Sequence, residues 1–215
     1  MLSLHALIAV ATEVVLFSIR RERLDVLLVA RDGARGLPGG YAAIHEGLDA
    51  SARRHLEEQT GIRGVYLEQL YTFGRPDRDP RQRVVSVAYY ALVPANRLNR
   101  QPTADSLSAD WAPVHALPSL VLDHGDVVRM AHRRLASKLA YSTIALQFMP
   151  ERFTLSALQK VYETILGEPL DKRNFRKRIL AQNGIEATSE LFREGNHRPA
   201  RLYRVKQPGT VQFIK

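Results

Sequence analysis

A glycine-rich turn, a short amphipathic helix and a further glycine follow one another between residues 36 and 61. The turn is the run Gly36-Leu-Pro-Gly-Gly40, and the apolar residues from 48 to 59 recur with a helical period. Gly61 then favours the left-handed conformation in which many helices end. Residues three and four positions apart share one helix face. We therefore expect a loop–helix–loop unit that presents three polar side chains together: His55, Glu58 and Gln59.

Strand-like segments lie on both sides of this unit. Apolar and β-branched residues fill segments 4–19, 24–30, 65–73 and 83–93. Segment 94–118 is expected to be a loop, with Trp111 packed against the sheet, and a helical period extends from 126 to 148 before Pro150. This mixture predicts an α/β sandwich-like domain up to about residue 125, followed by a long connecting helix.

Composition excludes several classes of protein. Hydrophobic residues make up 45% of the 215 and charged residues 25%, as in ordinary globular proteins. No apolar run approaches the roughly 18 residues that span a bilayer, and Glu13 interrupts the apolar N-terminal segment, which resembles a strand more than a signal peptide. Cysteine is absent, which excludes disulfides, zinc–thiolate sites and thiol nucleophiles. We expect a soluble, cytoplasmic protein without membrane association.

Positive charge is concentrated in the C-terminal part of the chain. Residues 150–215 hold 13 Lys and Arg against 7 Asp and Glu, whereas the longer preceding part contributes only a third of the net charge of +9. A basic segment of this size favours binding to nucleic acid. Charge alone leaves open the alternative of a basic surface that serves only solubility.

The segment 40–62 resembles the Nudix box, the signature of enzymes that cleave a nucleoside diphosphate linked to another group. The agreeing positions, at the spacing of that signature, are Gly40, Glu46, Arg54, Leu56, Glu58, Gly61 and Ile62. The resemblance implies a Nudix-type α/β/α sandwich. It also implies that Glu46 and Arg54 brace the loop against the helix.

The positions that differ from the box are those that would bind metal. The family places glutamates at 55, 58 and 59, because hard divalent cations require several converging carboxylate oxygens. Here only Glu58 remains, and one carboxylate cannot both offset the charge of Mg²⁺ and activate water. His55 could ligate Mn²⁺ or Zn²⁺, but a His–Glu pair is a weak site. We expect no catalytic residue, no metal site and no required cofactor.

Features that could hold a diphosphate are retained. Gly39 and Gly40 expose backbone to a phosphate, and segment 73–81 resembles the loop that ADP-ribose-type Nudix proteins place beside the substrate. Arginines suit this task because the guanidinium donates two parallel hydrogen bonds. The alternative is a solvated charged loop. The candidate ligand-binding residues are Arg35, Gly39, Gly40, Glu58, Arg75, Arg78, Asp79 and Arg81.

The basic C-terminal segment contains a pattern typical of a helix-turn-helix. Thr154 precedes an amphipathic helix that Gly167 closes, and Asp171 precedes a second helix over 172–180. Phe175 and Ile179 face inward, so the basic residues point outward, as a recognition helix in the major groove requires. The expected DNA contacts from this helix are Lys172, Arg173, Asn174, Arg176 and Lys177.

Two strand-like runs around residues 195–204 complete this segment. A hairpin tip rich in Gly, Asn, His and Arg can lie along phosphates as a wing, and we expect Arg198 and Arg201 to contact DNA there. The alternative is a small helical appendage with a solvated face. The predicted fold class is thus a Nudix-type α/β sandwich followed by a small C-terminal winged-helix domain.

Taken together, both halves resemble the NrtR family, Nudix-related transcriptional regulators of NAD metabolism. The resemblance extends over nearly the whole chain, through motifs at 117–124, 153–155, 172–175 and 198–203. It implies a homodimer that binds ADP-ribose or a related NAD metabolite and a palindromic operator near genes of NAD synthesis or salvage. The domains would be 1–125 (ligand sensing), 126–149 (connecting helix, the element coupling the two activities) and 150–215 (DNA binding).

Two other functions remain possible at this stage. One is an active ADP-ribose-type Nudix pyrophosphatase that uses Glu58 and further acidic ligands outside the box. The other is an RNA-binding or ribosome-associated protein, which the lack of exposed aromatic platforms in 150–215 disfavours. We expect a DNA-binding regulator, of the repressor type, over both.

Overall fold

The computed structural model describes residues 7–31, 33–98, 108–193 and 199–214. Its strands are β1 (Ala9–Arg20), β2 (Arg23–Arg31), β3 (Ala34–Gly36), β4 (Gly39–Tyr41), β5 (Tyr66–Phe73), β6 (Val84–Leu92), β7 (Ala109–Pro113), β8 (Ile185–Phe192) and β9 (Ala200–Val205). Its α-helices are α1 (Leu48–Thr60), α2 (His124–Lys138), α3 (Leu155–Leu166) and α4 (Lys172–Ala181). Short 3₁₀ helices cover Ala95–Arg97, Val114–Ala116 and Ile144–Phe148.

The N-terminal strands form one sheet ordered β3-β2-β1-β6-β5, with β4 paired to β1 and β7 paired to β2. The strands predicted at 24–30, 65–73 and 83–93 are confirmed within a residue or two at each end. The strand predicted from residue 4 begins at Ala9, and residues 4–6 lie outside the described part of the chain. Eight consecutive residues of β1 are buried, because both faces of the sheet are covered as in a sandwich.

The loop expected over 94–118 contains a strand, so that prediction is wrong for Ala109–Pro113. This segment pairs antiparallel with β2, and Trp111 stands opposite Leu27 within the sheet. Its sequence, ADWAP, has little intrinsic strand preference. Hydrogen bonding to β2, a partner more than 80 positions earlier, makes it a strand.

The long helix expected over 126–148 is also wrong, because α2 ends at Lys138. Thr143 instead exchanges hydrogen bonds with the C-terminal segment: its backbone N–H donates to Gln212 O, and its side chain accepts from Gln212 N. The helix itself ends in a turn in which Tyr141 N and the Ser142 hydroxyl donate to the Lys138 carbonyl, and the backbone beyond that turn pairs with the distant C-terminal segment. The sequence keeps its apolar pattern as far as Phe148 because most residues of the 3₁₀ helix Ile144–Phe148 are also buried. This pattern is why the sequence predicts a longer helix.

The chain divides into two compact units. The first comprises the described parts of Met1–Phe17, Asp25–Ala91 and Arg100–Ala131, and the second those of Ser18–Leu24, Leu92–Asn99 and His132–Lys215. In the second, α3 and α4 pack through an edge-on contact between Tyr162 and Phe175, and β8 and β9 form an antiparallel hairpin. Within the described ranges, no helix has both the length and the apolar character needed to cross a membrane.

Candidate ligand and nucleic-acid sites

The glycine turn is held between β1 and α1. Gly39 pairs with Glu13 in the β1–β4 ladder, and a Cβ atom at position 39 would lie 2.2 Å from Thr12 O. A Cβ atom at Gly40 would lie 2.6 Å from the Cε1 atom of His55. Position 39 therefore requires glycine, because backbone atoms occupy the space of a side chain, whereas a side chain at position 40 would have to displace the His55 ring.

His55 and Gln59 on α1 hold this turn through hydrogen bonds. The side-chain amide of Gln59 donates to Gly39 O at 2.8 Å and accepts from Gly39 N at 3.1 Å. The Nε2 atom of His55 lies 3.1 Å from Tyr41 O. That carbonyl only accepts, so Nε2 carries the proton and donates it. Burial lowers the pKa of His55 below its usual range, which favours this neutral form.

On the face of α1 where the sequence resemblance leads us to expect metal ligands, positions 55 and 59 thus carry hydrogen-bond donors directed at backbone carbonyls. Glu58 is exposed and pairs with Arg54 at 3.1 Å, and Arg54 also holds Glu46 at 2.5 Å, as predicted for the brace. No group of three His, Asp or Glu suited to a metal ion occurs among the residues that the structure describes. The retained carboxylate therefore stands apart from any such cluster.

A cavity of about 310 Å³ lies on the other side of the turn. Four of the predicted ligand residues line it: Gly40, Arg78, Asp79 and Arg81. Arg81 and Asp79 form a two-point ion pair with both N–O distances at 2.9 Å, and this pair lowers the pKa of Asp79. The Arg81 side chain is still 62% exposed, and its positive charge is offset by the paired Asp79.

Arg78 is placed differently from its expected role. Its side chain is 2% exposed, and its guanidinium donates to Glu13 at 2.9 Å and to Asp123 at 2.6 Å. It therefore ties β1 to the residue that precedes α2. A guanidinium shared by two buried carboxylates has little capacity left for a diphosphate.

The remaining predicted ligand residues lie elsewhere. Arg35 is exposed and pairs with Asp110 at 3.0 Å, and Arg75 is exposed and lies 3.7 Å from Asp77. Gly39 faces β1, and Glu58 belongs to the outer surface of α1. Sequence reasoning missed three charged or polar residues that line the cavity: Glu13, Arg31 and His124. Two of them gave a signal in the sequence: Glu13 as a lone charge within an apolar strand, and His124 as the end of the motif at 117–124.

In the second unit, the two predicted helix caps are present. Thr154 accepts a hydrogen bond from Ala157 N at 3.1 Å, and Asp171 accepts one from Asn174 N at 2.8 Å. Gly167 ends α3 in the left-handed conformation. Two side chains of α3 then hold Leu170: the Glu163 carboxylate accepts from Leu170 N at 3.0 Å, and the Gln159 amide donates to Leu170 O at 2.8 Å. These contacts fix the turn that orients α4.

The expected recognition helix presents its basic residues to solvent. Phe175 and Ile179 are buried, whereas the five predicted contact residues are exposed: Lys172, Arg173, Asn174, Arg176 and Lys177. Arg178 instead lies over the Tyr162 ring, 5.3 Å from its centroid. Arg201 is exposed on β9, opposite Leu191, and Arg198 lies outside the described residues. The surface of α4 thus has the charge and exposure that phosphate and base contacts require.

Two family models match the chain. The model of the Nudix domain matches residues 9–131, and the model of the NrtR DNA-binding winged helix domain matches residues 145–205. The first covers more than half of the chain, and the two follow one another in the order expected from the sequence.

Known proteins agree with these models. The ADPR responsive transcriptional repressor NtrR of Acinetobacter baylyi is 36% identical over 201 residues, which cover 89% of this chain and 80% of that protein. The crystal structure of Shewanella oneidensis NrtR complexed with a 27mer DNA is 34% identical, with a TM-score of 0.82 over 92% of this chain and 93% of that one. The NUDIX domain of the same protein complexed with ADP ribose is 34% identical, with a TM-score of 0.50 over 59% of this chain and 87% of that one. The expected fold is thereby confirmed, and this chain belongs to the NrtR family, in which a Nudix domain is followed by a DNA-binding winged helix domain.

Proposed function

We propose that this chain is a DNA-binding transcriptional repressor of genes for NAD synthesis or salvage, and that its Nudix domain binds ADP-ribose or a related NAD-derived nucleotide as effector. The relatives from Acinetobacter baylyi and Shewanella oneidensis support both halves of the proposal. We place the sensor within residues 1–125 and the DNA-binding domain within 150–215, with α2 between them, in a protein of the cytoplasm.

The observation that supports DNA binding is the exposed basic surface of α4. Asp171 caps the N-terminus of this helix, and Glu163 of α3 holds the turn that precedes it. The N-terminal residues of such a helix reach base edges, where Arg pairs with guanine and Asn with adenine. Arg198 and Arg201 of the hairpin would add phosphate contacts. In a homodimer the two recognition helices would lie roughly 34–36 Å apart, which matches a palindromic operator.

Selection of duplexes from a random pool, followed by gel-shift titration, tests this assignment. The double variant Arg173→Ala/Lys177→Ala should bind the selected duplex at least about tenfold more weakly, because each lost base contact is worth about 1–3 kcal/mol. The matched control Arg53→Ala/Arg63→Ala removes two exposed positive charges from the first unit and should leave affinity unchanged. Equal affinity of both double variants would contradict the assignment.

The same titration on unselected DNA separates two kinds of contact. If Arg173 and Lys177 reach only phosphates, their loss weakens binding equally on selected and unselected duplexes and lowers the salt dependence by about two counterions. If they reach base edges, the loss is larger on the selected duplex. We expect the second result, since both residues lie on the first turns of α4.

The proposal also states that the Nudix domain binds its nucleotide effector without hydrolysing it. His55 and Gln59 donate hydrogen bonds to the turn where the enzymes of the fold hold metal with carboxylates, so the sensor needs neither metal nor cofactor to bind its nucleotide. Isothermal titration with ADP-ribose in the presence of EDTA should give saturable binding. No heat of binding for ADP-ribose, NAD or ATP would contradict the sensor role.

A second candidate is an ADP-ribose pyrophosphatase, favoured by the retained, exposed Glu58. Incubation with ADP-ribose and Mg²⁺ or Mn²⁺ distinguishes the two functions. Turnover near about 1 s⁻¹, ordinary for enzymes, would establish the hydrolase. The sensor predicts that ADP-ribose is recovered intact.

A further inference from the structure

The wing hairpin, β8 with β9, buries little of its own surface. Of the residues in its two strands, only Ile185 is buried. A cavity of about 530 Å³ is lined both by Phe192 and Leu202 of the hairpin and by Ala157 and Lys160 of α3. A two-stranded hairpin without a packed face is marginally stable by itself in water. The position of the wing therefore depends on contacts near its base.

One of these contacts joins β9 to the residues just before α3. Phe153 and Tyr203 exchange two backbone hydrogen bonds, at 3.0 and 2.8 Å. Tyr203 lies two positions from Arg201, the exposed arginine for which we propose a phosphate contact. The ion pair of Glu190 with Arg152 is exposed and adds little. A single point of attachment leaves a strand free to pivot, so the direction of β9 requires a second one.

The second attachment is a pairing between residues 207–214, which follow β9, and residues 141–147, which follow α2; we name it the clasp. Thr143 N donates to Gln212 O at 3.0 Å, and Gln212 N donates to the Thr143 hydroxyl at 2.9 Å. Thr143 is buried, and a Cβ atom added at Gly184, the residue before β8, would lie 3.0 Å from its methyl group. Thr143 thus contacts the base of the hairpin at both of its strands.

Aromatic contacts complete the clasp. The rings of Tyr141 and Phe213 are stacked, with planes 9° apart and centroids 6.2 Å apart, and Lys138 Nζ lies 5.2 Å from the Phe213 centroid. Beside them, Ile214 N donates to Tyr141 O at 2.8 Å. Stacking and cation–π attraction both hold the Phe213 ring, although it is 69% exposed. Replacing this ring therefore weakens the clasp without opening a hydrophobic core.

We propose that the clasp positions the wing on DNA, so that the phosphate contact of Arg201 depends on Thr143 and Phe213. Without the clasp, β9 pivots about Tyr203 and moves Arg201 away from its phosphate. The inference rests on the proposed DNA-binding function and adds two positioning residues that act through the wing. Both lie outside residues 145–205, which the family model of the winged helix domain matches.

The salt dependence of DNA binding tests this proposal. The logarithm of the affinity falls with the logarithm of the salt concentration, with a slope of about 0.9 for each phosphate contacted. Arg201→Ala should therefore lower the slope by about one on the selected duplex. Phe213→Ala and Thr143→Val remove no charge, yet each should lower the slope by about the same amount. A substitution that only destabilised the fold would reduce the fraction of active protein and leave the slope unchanged.

Double variants give a second readout. Once the clasp is broken, Arg201 no longer reaches its phosphate, so Phe213→Ala/Arg201→Ala should have the same slope as either single variant. The effects of Phe213→Ala and Arg173→Ala on affinity should instead multiply, because α4 is held by its own cap. If Arg201→Ala lowers the slope equally with and without Phe213→Ala, the proposal is overturned.

Matched controls remove the same kinds of group from the first unit. Tyr71→Ala and Thr72→Val take an exposed ring and an exposed hydroxyl from β5, and both variants should bind DNA as the wild type does. Thermal denaturation checks that every variant is folded. Thr143→Val keeps the shape of a buried side chain and removes the acceptor for Gln212 N. If it does not fold, the exposed Phe213→Ala still decides the test.

The outcomes separate this inference from the function on which it rests. Wild-type protein that selects a duplex, with wild-type slopes for Phe213→Ala and Thr143→Val, overturns the role of the clasp and leaves DNA binding standing. A slope that Arg201→Ala does not lower overturns it as well, because the wing then has no phosphate contact to position. Wild-type protein that selects no duplex overturns both.

Discussion

At the scale of single residues, His55 and Gln59 place hydrogen-bond donors at two positions where the resemblance to the Nudix box leads us to expect glutamates. A glutamate at 59 would place a carboxylate where Gln59 now donates to Gly39 O at 2.8 Å, and a glutamate at 55 would face Tyr41 O. In an enzyme, a cation between such oxygens offsets their repulsion. Here His55 and Gln59 hold the turn through hydrogen bonds with Tyr41 O and Gly39 O, and we propose that these donors take the place of the cation.

The variant Gln59→Glu should therefore destabilise the protein. The carbonyl of Gly39 loses one of its two donors, since Arg31 Nη2 still donates to it, and faces a carboxylate, which costs about 1 kcal/mol of the free energy of unfolding. Urea denaturation measures this loss. The control Glu58→Gln changes an exposed side chain and should stay within about 0.5 kcal/mol of wild type.

Metal dependence gives this idea a further test. In the double variant His55→Glu/Gln59→Glu, carboxylates stand at 55, 58 and 59 on one face of α1. We expect millimolar Mg²⁺ to recover part of the lost stability by binding the folded state, while the wild-type unfolding midpoint does not move. A wild-type midpoint that rises with Mg²⁺ would contradict the replacement of metal by donors.

His55 also makes stability depend on pH. Its pKa in the folded protein is lowered by burial, whereas the unfolded chain titrates at about 6.5. The unfolded state therefore binds more protons at mildly acidic pH, and the free energy of unfolding falls as pH decreases from about 7 through 6.5 toward the folded pKa. Above that range the contribution is complete.

Urea denaturation between pH 5 and 8 measures this slope. His55→Gln retains a donor for Tyr41 O and cannot titrate, so its stability should vary less with pH than that of wild type. His45→Gln, an exposed control on the loop before α1, should keep the wild-type slope. Parallel curves for wild type and His55→Gln would exclude His55 as the titrating group.

The residue types at 55, 58 and 59 could be interpreted from sequence because helical spacing alone brings them together. The role of Arg78 could not, since its partners Glu13 and Asp123 are 65 and 45 positions away. An arginine in a charged loop suggested a phosphate contact, but it is buried as a brace. The pairing of Thr143 with Gln212, 69 positions apart, likewise follows from no local pattern.

At the scale of elements, local signals predicted the helices of the second unit, because caps and glycine ends act within a few residues. Thr154, Gly167 and Asp171 all stand where expected. Features that depend on distant partners were missed: β7 forms on β2, and the segment after α2 pairs with the C-terminal residues through Thr143 and Gln212. Propensity is overridden in both cases by tertiary hydrogen bonds.

The cap of α4 gives a prediction at this scale. Asp171→Ala removes the acceptor for Asn174 N, which should lower stability by about 0.5–2 kcal/mol and weaken DNA binding, because the first turn of the helix carries Lys172 and Arg173. Asp171→Asn keeps an acceptor at the same place and should retain most of both. Equal DNA affinity and equal stability of Asp171→Ala and Asp171→Asn would show that the cap does not order the first turn of α4.

At the scale of the whole molecule, a nucleotide-sensing domain and a DNA-binding domain belong to one chain. Arg78 and Glu13 tie the sensor cavity to Asp123, which directly precedes α2, and α2 continues into the second unit. A nucleotide in the cavity can change the affinity for DNA only if it binds the DNA-bound protein and the DNA-free protein with different affinities. The coupling is then reciprocal, so the operator should also weaken nucleotide binding.

The central claim is that the chain senses a nucleotide without cleaving it. The most direct test titrates ADP-ribose, with Mg²⁺ present, into the protein bound to a fluorescently labelled selected duplex. Anisotropy reports DNA release, and chromatography of the mixture reports the fate of the nucleotide. The account predicts that the duplex is released as ADP-ribose saturates the protein and that ADP-ribose is recovered intact. A complex that persists at saturating ADP-ribose, or turnover of the nucleotide near about 1 s⁻¹, would contradict it.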